Sequence, residues 1–406
     1  MGFGNWLWKP TSKISKNRGF EQIYSTSIVR SVNGVKMRLV WITHRKFDDF
    51  CATTPIALSN GLVQNGFDLT IVNPDPFGSH DEFPWSHISV PQSSIKGFQG
   101  SSFSKQIKKM SSSITSDFES ALIDWQVGPG VITLLSRAGL NVYLIDRSPP
   151  ADEGVFARLQ WKVWRKSWRL VDTPLVGKGF VVSPKHAEFV SQHLEIKAKH
   201  IEILPAGVST DGIKSKSSKK KGEPWRFVYH GRLDRHRGIL EFMNILSQLN
   251  DLGLHCIFTV IGDGTAVEEI KQRCDSFPNL FIYKTSMNHR DIHEELGKHH
   301  IGVLPMPEKK VWKLASPLKR GEYLASGLMV VGLDHDGHRL QGVDAKWFHL
   351  DSKSSLPSSI YTLFNDLNEE EFEQMSIDAQ NYATSHLSWD VSVQTLVSQL
   401  RGEVNG

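Results

Sequence analysis

The sequence has 406 residues, 39% hydrophobic and 22% charged, with a net charge of only +4. That length builds two domains of ordinary size, and the composition fits a soluble globular chain. The small net charge excludes a protein that binds polyanions through its overall charge, although cations cluster locally.

Residues 1–36 mix Trp6, Trp8, Lys9, Lys13, Lys16 and Arg18 with polar residues and show little periodicity. They read as a flexible extension. Order is expected from Met37. Arg38 to Thr43 reads as a buried strand, Pro55 to Asn65 as a helix closed by Gly66, and Asp68 to Val72 as a second strand. Strand, helix and strand at this spacing make a parallel βαβ unit. Residues 76–113 are rich in Ser, Gly, Pro and Phe and carry no clear assignment. Ala121–Trp125 and Asn141–Ile145 read as further strands around a helix at Val131–Ala138. In the second half, apolar runs recur at Gly179–Val182, Arg226–Tyr229, Cys256–Ile261, Leu280–Tyr283, Ile301–Leu304 and Met329–Val331. Helical patterns fill most gaps. The expected fold is α/β, two doubly wound Rossmann-like domains facing a cleft. The expected boundaries are 37–174 and 175–387, with a last helix at 388–402 returning to the first domain. Ligands of such sheets sit at the carboxyl ends of strands.

Two loops at such ends carry phosphate-binding chemistry. Gly231-Arg232-Leu233-Asp234-Arg235-His236-Arg237-Gly238 follows an apolar run and opens a helix. Its glycines let the backbone approach a ligand, and Arg232 and Arg237 supply forks for phosphate oxygens. In the segment Ser316 to Gly327, Ser316 suits an N-cap, Pro317 the first helical position and Gly327 the stop. Lys319 then lies beside exposed helix amides, an anion site. Glu322 follows one turn on, where a carboxylate accepts bonds from vicinal hydroxyls such as those of a ribose. The alternatives are a solvated loop for the first segment and a Lys319–Glu322 surface pair for the second. Gly262-Asp263-Gly264 ends another apolar run in a glycine turn.

Taken in order, these pieces resemble the glycosyltransferase B fold and, within it, the retaining glycosyltransferase family 4. Leu204-Pro205-Ala206-Gly207-Val208, Gly231-Arg232-Leu233 with Arg237-Gly238, Ile261 to Gly264, Ser316 to Gly327 and Asp336-Gly337-His338-Arg339 follow the family sequence. The resemblance implies that Arg232 and Arg237 hold a donor diphosphate, that Glu322 binds the ribose, and that Gly231, Gly262, Asp263, Ser316, Pro317, Leu318 and Lys319 line the donor site. It implies transfer with retention from a nucleoside-diphosphate sugar, with no cofactor and no metal. A glutamate that the family often carries eight positions before Glu322 is Leu314 here.

The first domain is expected to hold a glycan or lipid-linked acceptor. His44, Arg45, Asp48 and Asp49 in the first loop are candidates, as are Asp146 and Arg147 after the strand Asn141–Ile145. Asp146 joins Arg232 and Arg237 in the catalytic set. Residues 155–170 project as a helix with Trp161, Trp164 and Trp168 on one stripe and Arg158, Lys162, Arg165, Lys166 and Arg169 opposite. That arrangement suits an anionic membrane interface, and the alternative is a core helix with a wet basic side. The Lys214–Lys221 run has no interleaved aromatics, so nucleic acid is not expected. The dispersed Cys51, Cys256 and Cys274 suit reduced thiols in a cytoplasmic setting, free or peripheral on a membrane. Two rival activities fit the same pattern: a sugar-nucleotide epimerase or hydrolase, and a nucleotide-sugar-binding protein without chemistry.

Overall fold

A computed structural model of the protein describes residues 36–47, 52–95, 97–150, 155–210 and 218–402. The extension through residue 35, Asp48, Asp49, Cys51 and the lysines at 214 and 216 lie outside the described residues. The first sheet contains β1 (Arg38–Ile42), β2 (Asp68–Asn73), β3 (Ser86–Ser89), β4 (Ser120–Asp124), β5 (Asn141–Ile145), β6 (Gly179–Val181) and β7 (Ile201–Ile203). The second contains β8 (Trp225–Arg232), β9 (Cys256–Asp263), β10 (Phe281–Lys284), β11 (Ile301–Leu304), β12 (Met329–Leu333) and β13 (Phe348–Asp351).

Their orders are β3-β2-β1-β4-β5-β6-β7 and β10-β9-β8-β11-β12-β13, with every ladder parallel. Parallel sheets are covered on both faces, which is why their central strands are apolar runs. All four residues of β11 and all five of β4 are buried. The strand order reverses between β1 and β4 in one sheet and between β8 and β11 in the other. Loops leaving those strands in opposite directions open a crevice at the carboxyl ends.

The domain boundary differs from the sequence expectation. Strands β6 and β7 extend the first sheet, so that domain runs past Ile203 rather than ending at 174. The three residues of β7 are too few to register as a strand by pattern. The chain crosses between domains at Leu204–Val208 and returns beside it. Val208 N–H donates to the Leu387 carbonyl at 2.8 Å, and Trp389 N–H donates to the Val208 carbonyl at 3.2 Å. Trp389 lies so close to Gly207 that a β-carbon there would sit 2.7 Å from the indole. The helix Trp389–Arg401 then packs on the helix Thr53–Gln64, burying Val393, Leu396, Val397 and Leu400 with Leu39, Trp41 and Leu58.

Among the described residues no helix is long and apolar enough to cross a membrane. The helix Val155–Arg169 corrects the interfacial expectation for its tryptophans. Trp164 and Trp168 are fully buried, while Arg158, Lys162, Arg165, Lys166 and Arg169 are exposed. Trp164 and Trp168 are therefore core, Trp161 is half-buried beside them, and the basic side is wet.

Candidate active site

The site grows from the end of β8. This strand continues through Gly231 and Arg232, pairing Gly231 with Gly262 and Arg232 with Asp263 on β9. Gly231 has φ +116°, and a β-carbon there would stand 2.8 Å from Lys319 Cε and Nζ. Only glycine lets the lysine lie across this strand end. Lys319 Nζ sits 5.7 Å from the Tyr229 ring centroid, a cation over an aromatic face. Gly262 is extended with a positive φ, and a β-carbon on it would collide with the Gly231 carbonyl.

Asp234 organises the cations. Its carboxylate accepts from Arg232 at 3.0 and 3.3 Å and stands 3.6 Å from Arg237 Nε. Thr265 N–H donates to it at 3.3 Å. Burial pushes the pKa of this carboxyl up, but the Arg232 bonds, the Thr265 amide and the two guanidinium charges outweigh it and hold it below the usual range. Arg232 keeps 45% of its side chain exposed, and Arg237 keeps 22%. Burial also lowers the Lys319 ammonium; Glu322 opposes that shift and Arg237 adds to it. Arg232, Arg237 and Lys319 are thus brought to one strand end. Asp263 is more local, its carboxylate accepting from Gly264 N–H at 2.8 Å.

The helix bearing Lys319 runs Leu318–Ala325. Its N-cap is Pro317, extended at φ −72° and ψ 124°, and Ser316 precedes it. The expectation of a Ser316 cap is corrected: the extended Pro317 takes the N-cap position instead, and no side chain caps this end. The backbone amides of Leu318 and Lys319 are therefore left for a ligand. Glu322 lies on the same helix, 13% exposed, with His230 Nε2 3.1 Å from its Oε2. Gly327 ends the segment at φ +72°.

Leu314 packs into the first domain. It is 5% exposed and joins the buried cluster of the first domain that holds Trp164, Trp168 and Phe189. Its carbonyl accepts from Ser183 Oγ at 2.9 Å. Nearby, Lys310 Nζ stands 5.6 Å from the Trp161 ring and 5.1 Å from the Phe189 ring. Position 314 is a contact between domains rather than a sugar-facing acid.

On the first sheet the candidates separate. Asp146 is 0% exposed. Its Oδ2 accepts from Trp164 Nε1 at 2.6 Å and Trp168 Nε1 at 2.8 Å, with His186 Nε2 at 3.3 Å. Burial raises this carboxyl, but the His186 charge and the bonds from His186, Trp168 and Trp164 outweigh it and hold it low. So enclosed, this carboxylate is bonded into the packing rather than open to the crevice, which favours a structural role over the catalytic expectation for Asp146. Arg147 donates to the Leu204 carbonyl at 2.8 Å and Thr54 Oγ1 at 3.3 Å, tying β5 to the crossing segment. His44 and Arg45 are half-buried, and burial, with Arg45, lowers His44 to about 4. Asp124, unnoticed in the sequence, lies at the end of β4 and accepts from Trp41 Nε1 at 3.1 Å and Thr43 Oγ1 at 2.6 Å. His230 and Asp234 were also missed as partners of Glu322 and the arginines. Asp234 lies within the Gly231–Gly238 segment, and the signal for His230 is a polar residue on an apolar strand. Among the described residues no group of three or more His, Cys, Asp or Glu is placed to hold a metal.

Two parallel sheets flanked by helices, with their crevice at the strand-order reversals, define the glycosyltransferase B fold. Residues 224–366 match the family model of glycosyl transferases, group 1. Together, fold and match support a glycosyltransferase of that architecture. No curated protein matches this chain. Among solved structures, a glycosyltransferase from Rickettsia africae is similar at a TM-score of 0.70 and 14% identity, over 91% of this chain and 99% of that one. A sucrose-phosphate synthase from Thermosynechococcus elongatus gives 0.67 and 12%, covering 90% and 99%. Anabaena HepE, solved in complex with UDP, gives 0.65 and 11%, covering 91% and 100%.

Proposed function

We propose that this protein transfers a hexosyl group, with retention, from a nucleoside-diphosphate sugar to an acceptor hydroxyl in the synthesis of an envelope glycan or glycolipid. The observation that carries the reading is the meeting of Arg232, Arg237 and Lys319 with free helix amides at the end of β8. Departure of the diphosphate develops negative charge, and fixed cations in a crevice stabilise it electrostatically. Glu322 takes the ribose hydroxyls. A donor phosphate oxygen helps to remove the acceptor proton, and the first domain presents the acceptor near His44 and Arg45. UDP bound to HepE supports a nucleoside diphosphate as the ligand class. The exposed basic face of Val155–Arg169 supports a peripheral position on an anionic inner membrane surface, with a lipid-linked acceptor.

The test is Arg232→Ala with UDP-, GDP- and ADP-sugars. A charge-assisted bond of about 1.5–3 kcal/mol corresponds to roughly a 10- to 100-fold loss of affinity for the bound nucleotide. Arg232 is half exposed, so melting temperature should stay unchanged. Wild-type affinity in the variant overturns the donor assignment. Product analysis with donor alone separates transfer from epimerisation or hydrolysis.

A further inference from the structure

A recess of about 290 Å³ opens on the seam between the domains. It is lined by Trp161, Trp164 and Arg165 of the helix Val155–Arg169, by His193 of the helix Pro184–Leu194, and by Lys310 of the second domain. None of the residues at the end of β8 lines it. Trp161 is half-buried and held by its neighbours, its ring meeting Trp164 edge to face at 5.3 Å between centroids and Phe189 at 6.2 Å. Two cations share that ring, with Arg165 Cζ 5.8 Å and Lys310 Nζ 5.6 Å from its centroid. They come from different domains, and among the described residues neither makes an ion pair. The acids close to Lys310 and His193 in the chain are engaged elsewhere. Glu308 accepts from Lys313 at 2.6 Å, and Glu188 accepts from Lys185 at 2.7 Å and Gln192 at 2.9 Å. His193 bonds through Nδ1 to the Phe189 carbonyl at 2.9 Å, which leaves Nε2 for a ligand.

Like charges gathered on one ring without a counter-ion repel, and an anion seated beside both removes that repulsion. The indole adds a flat apolar face, on which the C–H side of a sugar ring can lie. The recess is at the small end of ligand cavities, which run to about 300–1,000 Å³. It therefore admits one substituted ring and not a nucleotide sugar. A phosphate monoester carries about −1.5 to −2 near neutral pH, which matches two fixed cations better than the single charge of a carboxylate. We infer that this recess binds a phosphorylated hexose unit, with the ring on Trp161, the phosphate on Arg165 and Lys310, and a hydroxyl on His193 Nε2. Its role, holding a phosphate-bearing sugar of the acceptor, rests on the transferase reading above; the binding itself does not.

The experiment is titration calorimetry on the full chain with glucose 6-phosphate, glucose and inorganic phosphate. The proteins are wild type, Arg165→Gln, Lys310→Gln, the double variant and Arg232→Ala. Glucose 6-phosphate should bind wild type with a Kd below about 1 mM, and glucose and inorganic phosphate at least about tenfold more weakly, since each supplies only part of the contact. Each glutamine variant should lose about three- to tenfold, and the double variant more, because solvent and salt screen two exposed cations. Melting temperatures should not move. Arg232→Ala should keep wild-type affinity for glucose 6-phosphate. Loss of affinity there instead assigns the ligand to the cations at the end of β8 and overturns the inference. Inorganic phosphate binding as tightly as glucose 6-phosphate, wild-type affinity in the double variant, or no binding of glucose 6-phosphate overturns it as well. In the last case, phosphatidylglycerol vesicles that pellet with wild type and not with the double variant assign Arg165 and Lys310 to a lipid surface. UDP affinity, measured alongside, should be equal in the double variant and wild type, so failure of this inference leaves the donor reading standing.

Discussion

Replacing Asp146 separates a buried structural carboxylate from a catalytic one. In Asp146→Ala, the indole N–H groups of Trp164 and Trp168 lose their acceptor and His186 loses its counter-charge, all with essentially no solvent access. A buried donor left unsatisfied costs about 1–3 kcal/mol, so the two indoles alone predict a loss of about 2–6 kcal/mol. That is a large part of the stability of a typical domain. Asp146→Asn keeps one oxygen for the indoles but removes the charge facing His186, and should cost less than the alanine. The assay is urea unfolding followed by tryptophan fluorescence, with nucleotide affinity measured calorimetrically on the protein that remains folded. Asp146→Asn should shift the unfolding midpoint and leave affinity within about twofold, since the cluster is separate from the β8 strand end. An unchanged midpoint with lost turnover would refute the structural assignment and restore Asp146 to the chemistry.

Acid should weaken the fold from the neutral range downward. Burial lowers His299 to about 4, and His300 and His338 to about 3. These groups stay neutral in the fold while the unfolded chain charges them below about pH 6.5. The unfolded state binds more protons, so stability rises with pH, and it is lost as pH falls below that value, at about 1.4 kcal/mol per unit for each group. Unfolding midpoints at pH 7.5, 6.5 and 5.5 check this, and a flat series contradicts it. A membrane role that depends on the wet face of Val155–Arg169 predicts that Arg158→Glu with Lys162→Glu abolishes pelleting with phosphatidylglycerol vesicles, while Trp164→Ala instead unfolds the protein. Pelleting that survives the charge reversals removes the basic face as the contact.

The strands that were legible in the sequence are those covered on both faces, where apolar runs such as Ile301–Leu304 leave little ambiguity. Strands β3 (Ser-His-Ile-Ser), β7 (Ile-Glu-Ile) and β13 (Phe-His-Leu-Asp) were not, because sheet-edge and short strands carry polar residues and few positions. The boundary expectation at 174 falls before β6 because the β6 run reads as the opening of the second half and β7 carries no apolar run beside it. Helical periodicity placed Trp161, Trp164 and Trp168 on one stripe correctly, but periodicity does not say what the stripe faces. Its partner, Asp146, lies on another element at the end of β5. The candidate donor residues stand out in the sequence because glycine, arginine and a helix start fall close together in the chain. Asp234 and His230 act through partners, and partnership across 31 or 92 positions, to Thr265 or Glu322, has no local signature.

Leu314 also has a consequence for motion. It belongs to one domain by sequence and to the other by burial, so any movement that parts the two sheets must return it to water. Fully burying a leucine is worth about 1.5–3 kcal/mol, which holds a parted state to roughly a tenth to a hundredth of the population it would otherwise have. An acidic side chain at 314 would invert that bias and favour separation. One apolar side chain therefore weights the seam toward the joined arrangement of the two sheets.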